Sequence, residues 1–120
     1  MSGKMSRNKG LNFERHIVKK LKEIFPNACR ALVGSLEDNV KKIDFRNTGR
    51  LCIQAKRLRN YASARALSDI QADNGGISVL WTKADRQPEV VMMYADDFLR
   101  IIKDIGEVYY EDKEGTQYIN

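Results

Sequence analysis

Lys42-Ile43-Asp44-Phe45-Arg46, then Asn47-Thr48-Gly49, then Arg50-Leu51-Cys52-Ile53-Gln54-Ala55-Lys56-Arg57: two alternating runs flank a set of turn residues, the pattern of a β-hairpin. With a side-chain period of two, Lys42, Asp44 and Arg46 fall on one face of the first run, and Ile43 and Phe45 on the other. In the second run Leu51, Ile53 and Ala55 form an apolar face opposite Cys52, Gln54 and Lys56. A carboxylate, an amide and an ammonium are thus expected to converge on one side of a small sheet, which is a seat for a divalent metal and an activated water.

Upstream, Phe13, Ile17, Val18, Leu21, Ile24 and Phe25 recur at three- and four-residue spacing and predict an amphipathic helix over 11–25, stopped by Pro26. Glu14 projects between Ile17 and Val18 and above Leu21, inside the apolar stripe. A carboxylate there needs a partner. A plain first-turn charge favoured by the helix dipole is the alternative role. Arg15, His16, Lys19, Lys20 and Lys22 mark the outward face, and His16 reads as a surface residue. Residues 1–9 are polar and basic and are expected to form a flexible arm. Residues 28–33 read as a strand, and 34–39 as a loop in which Glu37 and Asp38 fit ordinary turn chemistry.

Downstream, Ser63 is placed to cap a helix over 64–72 that ends at Gly75-Gly76. Ile77-Ser78-Val79-Leu80-Trp81 is apolar almost throughout, as expected of a central strand covered on both faces. A further strand is predicted over 89–94, and a helix from an Asp96 cap to about Ile105, ended by Gly106. The order α-β-β-β-α-β-β-α defines an α/β fold with a mixed sheet flanked by helices. One domain over 10–106 suits a chain of 120 residues. The tail, 107–120, is expected to be a hairpin or arm whose aromatics cover a subunit interface.

Charge is unevenly distributed along the chain. Residues 1–66 hold sixteen basic and five acidic groups, whereas 67–120 hold five basic and eleven acidic. Such a split predicts a polyanion-binding front and an acidic back, with nucleic acid as the first partner to consider. Arg7, Lys9, Arg15, Arg57 and Arg59 are the expected phosphate contacts, and Arg65 and Tyr61 continue that path. Cys29 and Cys52 have neither zinc-site nor disulfide-framework spacing and are expected to be reduced. No apolar run reaches membrane-spanning length and no signal-peptide core is present, which predicts a soluble cytoplasmic protein without a membrane partner.

A helix glutamate, a strand aspartate and a Gln-x-Lys on the next strand, here Glu14, Asp44, Gln54 and Lys56, resemble the PD-(D/E)XK nuclease superfamily. The Lys9-to-Arg15 stretch, Val33-Gly34-Ser35 and the two closing strands look like archaeal-type Holliday junction resolvases, a type also found in phages. Ile53-Gln54-Ala55-Lys56-Arg57 is also similar to the catalytic core of Mrr-type restriction endonucleases. The resemblance implies a restriction-endonuclease-like core that binds Mg²⁺, with Mn²⁺ as a substitute. Asp44 would be the principal ligand, joined by the Gln54 side-chain oxygen, the Ala55 carbonyl and Glu14. Lys56 would orient the attacking water, and Ser35 would lie near the scissile phosphate. It further implies a homodimer acting on branched DNA, in the host cytoplasm if phage-encoded. Gln54 stands where the family most often has Glu, which removes a charge from the metal site. A duplex-cutting or nicking Mrr-like enzyme, a DNA-binding module with a degenerate site, and a basic domain using Glu14, Asp44 and Lys56 as an ion-pair network are the competing readings.

Overall fold

The computed structural model describes residues 3–31, 41–73 and 75–111, with side chains from residue 7 to residue 106 of these. Helix α1 (Gly3–Leu21) is followed by β1 (Cys29–Arg30), β2 (Phe45–Arg46) and β3 (Leu51–Arg57). A 3-10 segment (Ala64–Asp69) then leads to β4 (Ile77–Lys83), β5 (Val90–Met93) and helix α2 (Ala95–Glu111). The architecture is α/β with a mixed sheet: β3 runs parallel to β4, and β4 antiparallel to β5. A separate antiparallel pair, β1 with β2, matches Arg30 to Phe45.

β4 is central, as its apolar run requires, because both of its faces are covered. On one face Ile77 and Val79 join Phe13, Ile17 and Leu21 of α1 together with Ile53 and Phe45. On the other, Leu80 packs with Ala62, Leu67 and Ile70 around the 3-10 segment. Thr82, fully buried, ties the layers together: its hydroxyl donates to the Lys56 carbonyl (2.9 Å) and accepts from the Ala62 amide (3.1 Å).

Several expectations are corrected. α1 begins at Gly3, so most of the expected arm is helix; Lys, Met and Arg are good helix formers and no proline intervenes. It ends at Leu21, four residues early, and the chain tightens through Ile24 and Phe25, whose amides both bond the Leu21 carbonyl, because Pro26 disfavours α geometry in the residue before it. The segment after Ser63 is a single 3-10 stretch that stops at Asp69; the cap is as expected, with the Ser63 hydroxyl accepting from the Arg65 amide at 3.1 Å. α2 runs through Gly106 to Glu111, since a single glycine costs a helix only about 1 kcal/mol. Of the expected tail hairpin, 107–111 are therefore helical, and 112–120 lie outside the described residues. The expected strand at 28–33 is seen as Cys29–Arg30, its remainder beyond Ala31 also falling outside them.

The largest correction concerns the hairpin. The turn forms, with Asn47 at φ 64° and Gly49 at φ 61°, and a Cβ at position 49 would lie 3.2 Å from the Phe25 ring. Strand β2, however, pairs with β1, not with β3. Lys42 has φ 58°, and beyond it Ile43 packs in the cluster around the 3-10 segment whereas Phe45 packs beneath α1. The chain thus crosses from one face of the sheet to the other at residue 44.

Candidate active site

Asp44 occupies that crossing. Its amide donates to the Ile53 carbonyl (2.9 Å) and its carbonyl accepts from the Ala31 amide (2.8 Å). Its Oδ2 accepts from the Ala55 amide at 2.8 Å, so a side-chain oxygen takes the position that a main-chain carbonyl of a continuing ladder would fill. Because the N–H and C=O of a strand residue point to the same side, the Ala55 carbonyl is directed along this same open edge. Asp44 is thereby held in the plane of the sheet, at the edge of β3.

The sheet presents different groups above and below that edge. Ile53 and Ala55 pack towards α1, so strand alternation directs Gln54 and Lys56 to the opposite face. Glu14 approaches from the α1 side, where its Oε1 accepts from Arg30 Nε at 2.9 Å, a pair about three-quarters buried. Its expected need for a partner is met by a residue that sequence reading passed over. Arg30 could have been suspected only as the lone cation in a short apolar run.

Electrostatics single out Asp44. Burial raises its pKa from the ordinary 3.8 to about 6; the Ala55 amide opposes the rise, the Glu14 charge adds to it, and Lys56 and Lys42 act against it. Gln54 is 6% exposed, and its Oε1 is a buried oxygen without a hydrogen-bond partner among the described residues. An orphaned acceptor of this kind costs about 1–3 kcal/mol and calls for a role.

Asp44 thus lies within electrostatic reach of both Glu14 and Lys56, and Gln54 and Ala55 are consecutive residues of the strand beside it. Ser35, Glu37 and Asp38 lie outside the described residues. Among the described residues no group of three or more His, Cys, Asp or Glu is arranged to hold a metal. A cation here would rest on two carboxylates and two neutral oxygens, the Gln54 amide and the Ala55 carbonyl. Oxygen donors of this kind suit a hard divalent ion of the Mg²⁺ type.

The expected DNA contacts divide into two sets. Arg7, Arg15 and Arg59 are exposed. Lys9 and Arg57, by contrast, both reach Asp85, at 3.3 and 2.9 Å, and Arg57 also donates to the Leu58 carbonyl. Lys20 pairs with Glu89 and Lys41 with Asp73, so acids of the second half are interleaved with bases of the first, and the expected basic front and acidic back are not cleanly separated. Between α1 and the carboxyl ends of β3 and β4 lies a groove of about 360 Å³ with Lys9, His16, Arg57 and Lys83 on its walls. Beside it, Glu89 gathers His16 Nε2 (2.7 Å), Trp81 Nε1 (2.9 Å) and Lys20 Nζ (3.4 Å), a cluster without any motif in the sequence. Both cysteines are free thiols. Among the described residues no helix is long and apolar enough to cross a membrane.

No protein-family model matches the chain, and no curated protein or solved structure matches it significantly.

Proposed function

We propose that this chain is a metal-dependent endonuclease with a restriction-endonuclease-like core, one that cuts four-way DNA junctions by paired phosphodiester hydrolysis. The observation that carries this reading is the Asp44 carboxylate, pinned to the Ala55 amide at an open strand edge with Glu14 on one side and Lys56 on the other. Asp44 Oδ1, Glu14, the Gln54 side-chain oxygen and the Ala55 carbonyl would hold Mg²⁺ or Mn²⁺. When bound, the ion supplies charge neutralisation at the phosphate and a water that is nucleophilic near neutral pH. Lys56 orients that water and stabilises charge developing on the phosphate; the Thr82 hydroxyl fixes the main chain from which it projects. Arg30 holds Glu14 in place. Exposed Arg7, Arg15 and Arg59 supply phosphate contacts. A four-way junction must be cut in two strands related by a two-fold axis, which a homodimer with two sites matches.

A second reading has its own support: Gln54 in place of an acid, and no more than two carboxylates at the site among the described residues, favour a DNA-binding module whose hydrolytic site has decayed. Incubation with a synthetic four-way junction and with linear duplex, in Mg²⁺ or Mn²⁺, separates the possibilities. Paired symmetric nicks confined to the junction are expected, falling by roughly a thousandfold or more in Asp44→Asn and Lys56→Ala. Equal cutting of linear duplex selects an Mrr-like enzyme. Junction binding that is indifferent to EDTA, with no cleavage in any divalent metal, selects the decayed module.

A further inference from the structure

The loop that follows Lys56 is exposed yet tightly fastened. Leu58 is 45% and Tyr61 36% exposed, and Arg59 and Asn60 between them are exposed as well. The Leu58 amide nevertheless donates to the Lys83 carbonyl (3.1 Å), and the Arg59 carbonyl accepts from the Asp85 amide (3.1 Å). At the far end the Ala62 amide donates to the Thr82 hydroxyl (3.1 Å), and the Tyr61 hydroxyl donates to the Pro88 carbonyl (2.6 Å). Apolar surface is thus presented to solvent on a loop held at both ends, which a ligand meets without having to order it.

Position and chemistry identify that ligand. The bond from Leu58 to Lys83 continues the β3–β4 ladder by one residue, so strand alternation sends Leu58 to the same face as Lys56, about 7 Å further along. Bases of one DNA strand rise about 3.4 Å per step, so a strand with a phosphate at Lys56 brings a base to Leu58 within about two steps. Arg59 and Arg65, both exposed, suit the phosphates on either side. An isobutyl group has nothing to offer a phosphate, and the Tyr61 hydroxyl is already engaged with Pro88. Both side chains instead suit the faces of bases: leucine enters a weakened base step as a wedge, and an aromatic ring stacks on a base of any identity. A stacked duplex interior hides those faces, whereas an opened branch point exposes them.

We propose that Leu58 and Tyr61 form a binding site for an unstacked nucleobase beside the branch point, and that this contact discriminates branched DNA from duplex. The site rests on the reading of branched DNA as the substrate, but its test is run in EDTA and does not depend on cleavage. The full chain is mixed with a four-way junction carrying 5-iodouracil next to the branch point and irradiated. A cross-link located by mass spectrometry within residues 58–61 is expected, and it should be far weaker from 5-iodouracil inside a linear duplex. Tyr61→Ala and Leu58→Ser, both at exposed positions, are each expected to weaken junction binding roughly tenfold, with unchanged circular dichroism and unchanged salt dependence, because no phosphate contact is lost. Tyr61→Phe keeps the ring and is expected to bind the junction like the wild type. The proposal is overturned by the absence of a cross-link into 58–61, by an equally strong one from linear duplex, or by junction affinity indifferent to both Tyr61→Ala and Leu58→Ser. A loss in Tyr61→Phe as large as that in Tyr61→Ala also overturns it, by assigning the effect to the bond with Pro88. Absence of cleavage in every divalent metal would sink the hydrolytic reading and leave this site standing.

Discussion

Two part-buried carboxylates on opposite sides of α1 show how one chain can spend the same chemical group in opposite ways. At Glu89 burial opposes ionisation, yet the hydrogen bonds from His16 and Trp81 and the positive charges of His16 and Lys20 outweigh it and hold the group below the usual range. At Asp44 burial prevails: one amide donates to it, a second carboxylate stands nearby, and the group is pushed up to about 6. Glu89 is a satisfied structural anchor between α1, β4 and the approach to β5. Asp44 is destabilising when charged and unaccompanied.

The contrast can be broken by substitution. The largest stability effect is expected from Asp44→Asn, which keeps an oxygen to accept from Ala55 while removing the charge: the metal-free protein should gain roughly 2–3 kcal/mol near pH 7.5. The sign follows from the raised pKa. A carboxyl that holds its proton more tightly when folded contributes stability below about 3.8 and loses it as pH rises through about 6. Urea midpoints measured from pH 4 to pH 7 should therefore decline in the wild type and flatten in the variant. An unchanged slope would remove Asp44 from the frustrated side of the comparison.

Glu89→Ala is expected to act the other way, costing about 2 kcal/mol by stranding Trp81 Nε1 and releasing His16 and Lys20. With its pKa depressed, Glu89 contributes stability above the ordinary carboxylate range and loses it as pH falls below that range, opposite in sense to Asp44. The smallest effect is expected at Gln54. Gln54→Leu removes an acceptor that has no partner and should be neutral or stabilising by about 1 kcal/mol in thermal melts, while weakening Mg²⁺ or Mn²⁺ binding measured by calorimetry. A marked loss of stability would instead give the Gln54 amide a structural partner.

The parts of this molecule legible in its sequence are those set by periodicity over many residues. The stripe of Phe13, Ile17 and Leu21, and the two-sided apolar run of β4, translate directly into buried faces. The central hairpin was misread because its alternation is real on either side of Asp44, while the crossing at Lys42–Asp44 depends on tertiary packing of Ile43 and Phe45 into different clusters. Glu14 was conspicuous in the sequence because a carboxylate in an apolar stripe is a local anomaly, and Asp44 and Lys56 because each is a charge in an alternating run. Arg30 and Glu89 were not, since each acquires meaning only from residues at least eight positions away. The charge split along the chain was arithmetically sound but spatially misleading: pairing across the groove mixes the two halves.

The break between β2 and β3 has a mechanical side. Beside the 47–50 turn, the Asp44 amide and the Asp44 carboxylate both hydrogen-bond the three-stranded sheet next to the β1–β2 pair. Phe45, buried with Ile17 and Ile53, and the Arg30–Glu14 pair fasten the same two strands to the core beneath α1. The hydrogen bonds that join the two sheets and a carboxylate whose charge is disfavoured by burial thus fall on the same aspartate, so whatever neutralises Asp44 also relieves that junction.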